Sequence, residues 1–136
     1  MTVKEIQTKI ESCKALQGKT VEDLIETPRF RENLAAYMTE QRETRKAARA
    51  SLKAMEKLNG PMKLSAHPID RVINLTVDQF ADEYKRVISR ESSRSRAVRQ
   101  YVEQLGRQAY NLTVAQFVID EFPELEPILL PKTNAN

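Results

Sequence analysis

Tryptophan is absent from this chain, cysteine and histidine occur once each, and glycine occurs three times in 136 residues. Each shortage closes off a kind of chemistry. With Cys13 alone, neither an intrachain disulfide nor a cysteine-rich zinc site can form. With His67 alone, a histidine metal cluster is excluded, and a catalytic dyad would depend on one connector residue beside Pro68. No apolar run approaches membrane-spanning length, and the opening Met1-Thr2-Val3-Lys4-Glu5 lacks the apolar stretch of a signal peptide. A cytoplasmic protein with no membrane partner is the simplest expectation.

What remains is the composition of a soluble helical protein, with 40% hydrophobic and 30% charged residues. The length suits one ordinary core, so we expect a single helical domain over residues 1–131 and a frayed tail at 132–136. The net charge of +3 names no partner by itself.

One phrase is written twice. Asn74-Leu75-Thr76-Val77-Asp78-Gln79-Phe80 returns as Asn111-Leu112-Thr113-Val114-Ala115-Gln116-Phe117, with six of seven positions identical. Both copies have the layout of a helix start. Thr at the N-cap accepts from a free backbone N–H, Gln three residues on reaches back, and the preceding Leu packs on the Phe four beyond the cap. Lys19-Thr20-Val21-Glu22-Asp23-Leu24 is a weaker relative. The copies diverge outside the phrase, so shared capping chemistry explains the likeness better than duplication. Their Asn-Leu-Thr triplets also match glycosylation acceptors, a coincidence at helix caps in a protein expected inside the cell.

Taken in order, Val3, Ile6, Ile10, Cys13 and Leu16 recur at threes and fours, predicting an amphipathic helix from Val3 to Gln17 closed by Gly18. A short helix should follow from Thr20 to about Glu26, ended by Thr27-Pro28. Nothing then breaks a helix until Asn59-Gly60-Pro61, so one long rod is expected over about residues 29–58. Its ends carry apolar stripes, Phe30, Leu34 and Tyr37 at the start and Leu52, Met55 and Leu58 at the finish. Its middle, from Thr39 to Lys46, is polar all round, the pattern of a bridging or exposed helix.

Met62 to Asp70 reads as a connector ending in a short helical turn before Asn74. The first copy opens a helix from about Val77 to Arg90, and Ser92 or Ser93 caps the next, in which Val98, Tyr101, Val102, Leu105 and Ala109 face the core. Gly106 weakens that helix slightly. The second copy should open a shorter helix from about Val114 to Glu121, after which three prolines predict an extended tail whose Ile128, Leu129 and Leu130 must dock.

Gly18-Lys19-Thr20 resembles the end of a phosphate loop, but Cys13 stands where the first glycine belongs and a helix stands where the strand belongs. Helix stop and N-cap account for it. Cys13 lies on an apolar stripe and reads as a small buried hydrophobe. Carboxylates are scattered over helix surfaces without forming a recognisable pair, so no enzyme is expected, and neither cofactor nor metal.

Charge is unevenly spread. From Arg29 to Lys57 there are eight basic and four acidic residues, and Lys85, Arg86, Arg90, Arg94, Arg96, Arg99 and Arg107 outnumber Glu91 and Glu103 in the next basic run. The tail after Gln108 is acidic. Within Glu91-Ser92-Ser93-Arg94-Ser95-Arg96, arginines in a first turn oppose the helix dipole, so stability does not select them. Free N–H groups, serine hydroxyls and arginine forks together suit a phosphate.

Two readings of function follow. The leading one is a non-catalytic helical assembly protein that associates with a protein partner or with itself through the alanine-rich long helix, Ala47, Ala48 and Ala50, and the apolar Ile128, Leu129 and Leu130. The alternative is a nucleic-acid accessory protein in which Ser93, Arg94, Ser95, Arg96, Arg99 and Arg107, with Arg42, Arg45, Lys46 and Arg49 of the long helix, meet duplex phosphates. Tyr84, Tyr101 and Phe80 fall on core stripes, leaving no aromatic platform for a single strand. The expected fold is all-α, with five or six helices. The bland competitor is that the arginines pair with carboxylates of neighbouring helices.

Overall fold

A computed structural model describes residues 1–60 and 67–131, and among them every regular element is helical. Helix α1 spans Val3–Ser12, α2 Val21–Ile25, α3 Pro28–Asn59, α4 Asp70–Ile73, α5 Val77–Ile88 and α6 Arg96–Glu121. A 3₁₀ turn, Pro123–Leu125, leads into α7, Glu126–Leu129. Most of the expected connector from Met62, and the expected frayed tail, lie outside the described residues.

Threonine sets the starts. Thr2, Thr20, Thr27, Thr76 and the serine Ser95 all hold extended backbone angles and accept from an N–H of the first turn. At Thr20 and Thr76 the capping box is complete, with Asp23 and Gln79 reaching back to the cap N–H. Pro28 occupies the first position of α3, where a missing N–H costs nothing. Gly60, at φ 86°, closes α3 in the left-handed region that glycine tolerates.

Four sequence expectations are corrected. First, α1 stops at Ser12 instead of Gln17, because the backbone N–H groups of Lys14 and Ala15 leave the helical ladder for the Glu121 carboxylate, at 2.9 and 3.2 Å. Second, the cap of α6 is Ser95, not Ser92 or Ser93, so Arg94 precedes the helix and Arg96 opens it. Third, the second copy of the repeated phrase starts no helix, since α6 runs through it unbroken. Thr113 turns its hydroxyl back onto the Ala109 carbonyl at 2.6 Å, and Gln116 accepts from Asn33 at 2.9 Å instead of reaching for a cap. The proline-rich tail is likewise helical, because Pro123 and Pro127 fall in first-turn positions.

Helices α3 and α6 form the frame and run antiparallel: Arg29 bonds Asp120 at one end, and Asn33 bonds Thr113 and Gln116 a turn along. Their main core includes Phe30, Leu34 and Met38 of α3, Val98, Val102, Leu105 and Ala109 of α6, Phe80, Ala81 and Tyr84 of α5, and Val72 and Ile73 of α4. A second cluster, Cys13, Val118 and Leu125, is covered by Ile6, Ile10 and Leu129. Gly106 is there for space. A Cβ on it would stand 2.3 Å from Cδ1 of Tyr84, so the glycine lets α5 lie against α6.

Met38 is the last buried residue of α3. Residues 39–59 extend past it for about 30 Å at 1.5 Å per residue.

Candidate functional site

Three arginines of α3 turn towards α4. Arg42 donates to the Ile73 carbonyl at 2.7 Å and to Thr39 at 3.0 Å. Arg45 closes its fork on Asp70 at 2.9 and 2.8 Å, and Arg49 approaches the same carboxylate at 3.6 Å. The Arg45 fork holds Asp70 below the ordinary carboxylate range, against the opposing effect of burial, and the His67 N–H and Arg49 add to it. Asp70 raises Arg45 in return. Lys46 is exposed, with no partner among the described residues.

At the corner between α5 and α6 the pairing differs. Glu83 is 3% exposed, takes a hydrogen bond from Ser92 at 2.5 Å, and has Arg86 at 3.4 Å and Arg94 at 3.5 Å. That carboxylate ties the connecting turn to α5. Arg94 therefore has a structural use, as does Ser95, which caps α6 through the Val98 N–H at 3.4 Å. Ser93 is exposed and unbonded among the described residues.

Arg90 occupies a place normally given to glycine. Its φ is 61°, and the bonds Arg90 N–H to the Val87 carbonyl and Glu91 N–H to the Arg86 carbonyl make a Schellman closure with Arg90 at the left-handed position. An arginine there costs about 1 kcal/mol relative to glycine. Arg90 lines an open hollow of about 350 Å³ together with Val87, Ser92, Arg96, Arg99, Gln100 and Glu103. Arg90, Arg96 and Arg99 are exposed and have no partner among the described residues.

A second hollow of about 330 Å³ adjoins the first along α6, lined by Gln100, Gln104, Gln108, Asn111, Glu103 and Arg107. Arg107 and Glu103 pair one turn apart. The outward face of α6 thus carries arginines and amides with a single carboxylate. Of the expected phosphate-contact residues, Arg96, Arg99 and Arg107 share this face, Arg94 and Ser95 serve the turn, and Arg42, Arg45 and Arg49 serve α4. No hollow or bond described joins the α3 group to the α6 group. The amides escaped the sequence reading, and Arg90 entered it only as part of the basic run; the signal of the amides was the helical spacing of 100, 104, 108 and 111, which is legible once α6 is known to be continuous. The corner does not match a helix-turn-helix, whose turn takes about 3–4 residues, because residues 89–95 separate the helices.

The expected protein-contact residues also divide. On the distal part of α3, Ala47, Ala50, Ser51 and Ala54 are exposed along one stripe that ends at Leu58, which is 85% exposed. Ala48 lies about 100° round from Ala47 and is partly covered. In the tail, Ile128 is exposed, Leu129 packs on the second core cluster, and Leu130 joins Leu129 beside Tyr37 and Leu112.

Cys13 and His67 belong to different parts of the molecule. Cys13 points at the Phe117 carbonyl and is raised by burial and by neighbouring Glu121, whereas His67 meets the Tyr101 hydroxyl at 3.2 Å. Among the described residues no group of three or more His, Cys, Asp or Glu could hold a metal ion, and no helix is long and apolar enough to cross a membrane. No protein-family model, curated protein or solved structure matches the chain.

Proposed function

We propose that this is a non-catalytic assembly protein whose distal α3 arms pair with each other, one from each of two copies. The observation that carries the reading is the continuation of α3 from Thr39 to Asn59 without a buried residue, ending at an exposed Leu58. Arg42, Arg45 and Arg49 tie the first turns of this stretch to α4. Helices in proteins, however, draw most of their stability from packing an apolar face, and here the small and apolar side chains from Ala47 to Leu58 along one stripe stay exposed. A partner helix would bury the stripe Ala47, Ala50, Ser51, Ala54 and Leu58.

Small side chains in the middle of that stripe allow two backbones to approach closely. The charge pattern favours an antiparallel pair. Glu40 and Glu43 precede the alanines, and Lys53 and Lys57 follow their centre, so reversing a second copy sets carboxylates opposite ammonium groups at both ends. An isologous two-fold contact needs this self-complementarity.

Sedimentation equilibrium tests it on the full chain. A concentration-dependent dimer is expected, with Leu58→Glu combined with Ala50→Glu shifting it to monomer. Lys57→Glu should weaken it, and Lys57→Glu with Glu43→Lys should restore it. A monomer at every concentration, or a dimer indifferent to these exposed substitutions, refutes the reading.

A further inference from the structure

We infer that the outward face of α6, from Arg96 to Asn111, together with Arg90 at the α5–α6 corner, is a binding face for duplex DNA. This surface is separate from the α3 arm and does not depend on its pairing.

Pairing carries the argument. Eight of the twelve arginines are committed internally: Arg29 to Asp120, Arg31 to Glu26 and Asp78, Arg42 to the Ile73 carbonyl, Arg45 and Arg49 to Asp70, Arg86 and Arg94 to Glu83, and Arg107 to Glu103. Arg90, Arg96 and Arg99 have no such partner among the described residues, and all three line one hollow. They share that hollow with a single carboxylate, Glu103, which is bonded to Arg107, so guanidinium groups are in excess there and an anion relieves their repulsion. The planar forks suit phosphate oxygens.

A small anion would not account for the rest of the face. The second hollow continues the surface with Gln100, Gln104, Gln108 and Asn111. Amide side chains present a donor and an acceptor together, the pattern that pairs with adenine in the major groove, while arginine pairs with guanine and glutamate accepts from cytosine. Arg107 and Glu103 are side chains of those last two kinds, bonded to each other in the free protein and exchanging that bond for bases on binding. The face spans about 22 Å along the helix axis at 1.5 Å per residue, and the major groove of B-DNA is about 12 Å wide, enough to admit a helix.

The same features choose among nucleic acids. No aromatic residue is exposed on this face, since Tyr84 is buried and Tyr101 is turned to His67, so stacking on a single strand has no platform. The deep, narrow major groove of A-form RNA does not admit a helix.

The test is fluorescence anisotropy of a labelled random-sequence DNA duplex titrated with the full chain at several salt concentrations. Binding should weaken with salt, and Arg90→Gln with Arg96→Gln and Arg99→Gln should lower affinity at least about tenfold. The slope of log K against log salt should flatten by about three, one for each phosphate left without its arginine. These side chains hold no internal bond among the described residues, so folding is checked by circular dichroism and should be unchanged. Selection from a random duplex pool should enrich a site whose enrichment Gln104→Ala removes. The inference is overturned by absence of binding at low salt, by tighter binding of the single strand, or by binding that the triple variant retains. Equal affinity for polyglutamate, marking a surface for acidic protein, overturns it too.

Discussion

Gly106 of α6 lies so close to the ring of Tyr84 that an added Cβ would stand 2.3 Å from Cδ1 and 2.5 Å from Cγ. The ring cannot easily retreat: Tyr84 is buried and stacks on Phe30 at 6.1 Å. Alanine at 106 would gain about 1 kcal/mol of helix propensity but incur an overpacking cost of about 1–3 kcal/mol or more. We expect the clash to win. Gly106→Ala should lower the urea midpoint, and Gly106→Ala combined with Tyr84→Ala should cost less than the sum of the two single changes, because both act on one contact.

Ser92 and Glu83 make a second specific test. The buried carboxylate has Ser92 as its shortest partner, and removing that hydroxyl leaves an oxygen short of a donor in a place water scarcely reaches. Ser92→Ala should cost about 1–3 kcal/mol. Ser93→Ala, one residue along and exposed, should be neutral. Equal effects in urea denaturation would show that the Glu83 clamp does not hold the turn.

Acid should act through Asp70. Its carboxyl is held below the ordinary range by the Arg45 fork, so the folded state binds a proton less readily than the unfolded chain does. The resulting stability is present above the unfolded value and is lost as pH falls through it towards the lower folded value. In urea unfolding below about pH 4, the region of an unperturbed Asp, wild type should lose stability more steeply than Asp70→Asn. Parallel curves would mean that the pair contributes nothing differential.

The repeated phrase shows what a sequence can and cannot disclose. Thr76 is a true cap, accepting from the Gln79 N–H at 3.1 Å, and Thr76→Ala should cost about 1 kcal/mol. Thr113 has the same neighbours but lies mid-helix, fully buried, where its hydroxyl donates to Ala109 and accepts from Asn33. Thr113→Ser should preserve both bonds and remove only a methyl, whereas Thr113→Ala should leave the Asn33 bond broken as well. Loss of a cap and loss of a tertiary bond are separable by α5 hydrogen exchange, which only Thr76→Ala should accelerate.

Local chemistry made the all-α class, the bounds of α3 and the starts of α2 and α5 legible, because Pro28, Gly60 and complete capping boxes act within a few residues. The early end of α1 and the continuity of α6 were not legible. Each is decided by a group far along the chain, Glu121 taking the N–H groups of Lys14 and Ala15, and Asn33 engaging Thr113 and Gln116. For the same reason the charge run could not separate Arg94, which Glu83 occupies, from Arg96 and Arg99, which stay open.

Arg90 is where stability and binding should part. A left-handed φ of 61° favours glycine, so Arg90→Gly should raise stability by about 1 kcal/mol, since every other bond of the Schellman closure is made by backbone. The same change removes one of three guanidinium groups from the hollow. It should therefore weaken duplex DNA binding and reduce the salt slope by about one. Arg90→Lys keeps the charge at the strained position and should retain most of the slope without the gain in stability. A protein that becomes more stable with Arg90→Gly and binds DNA unchanged would leave the arginine without a purpose in the hollow and would confine any contact to α6.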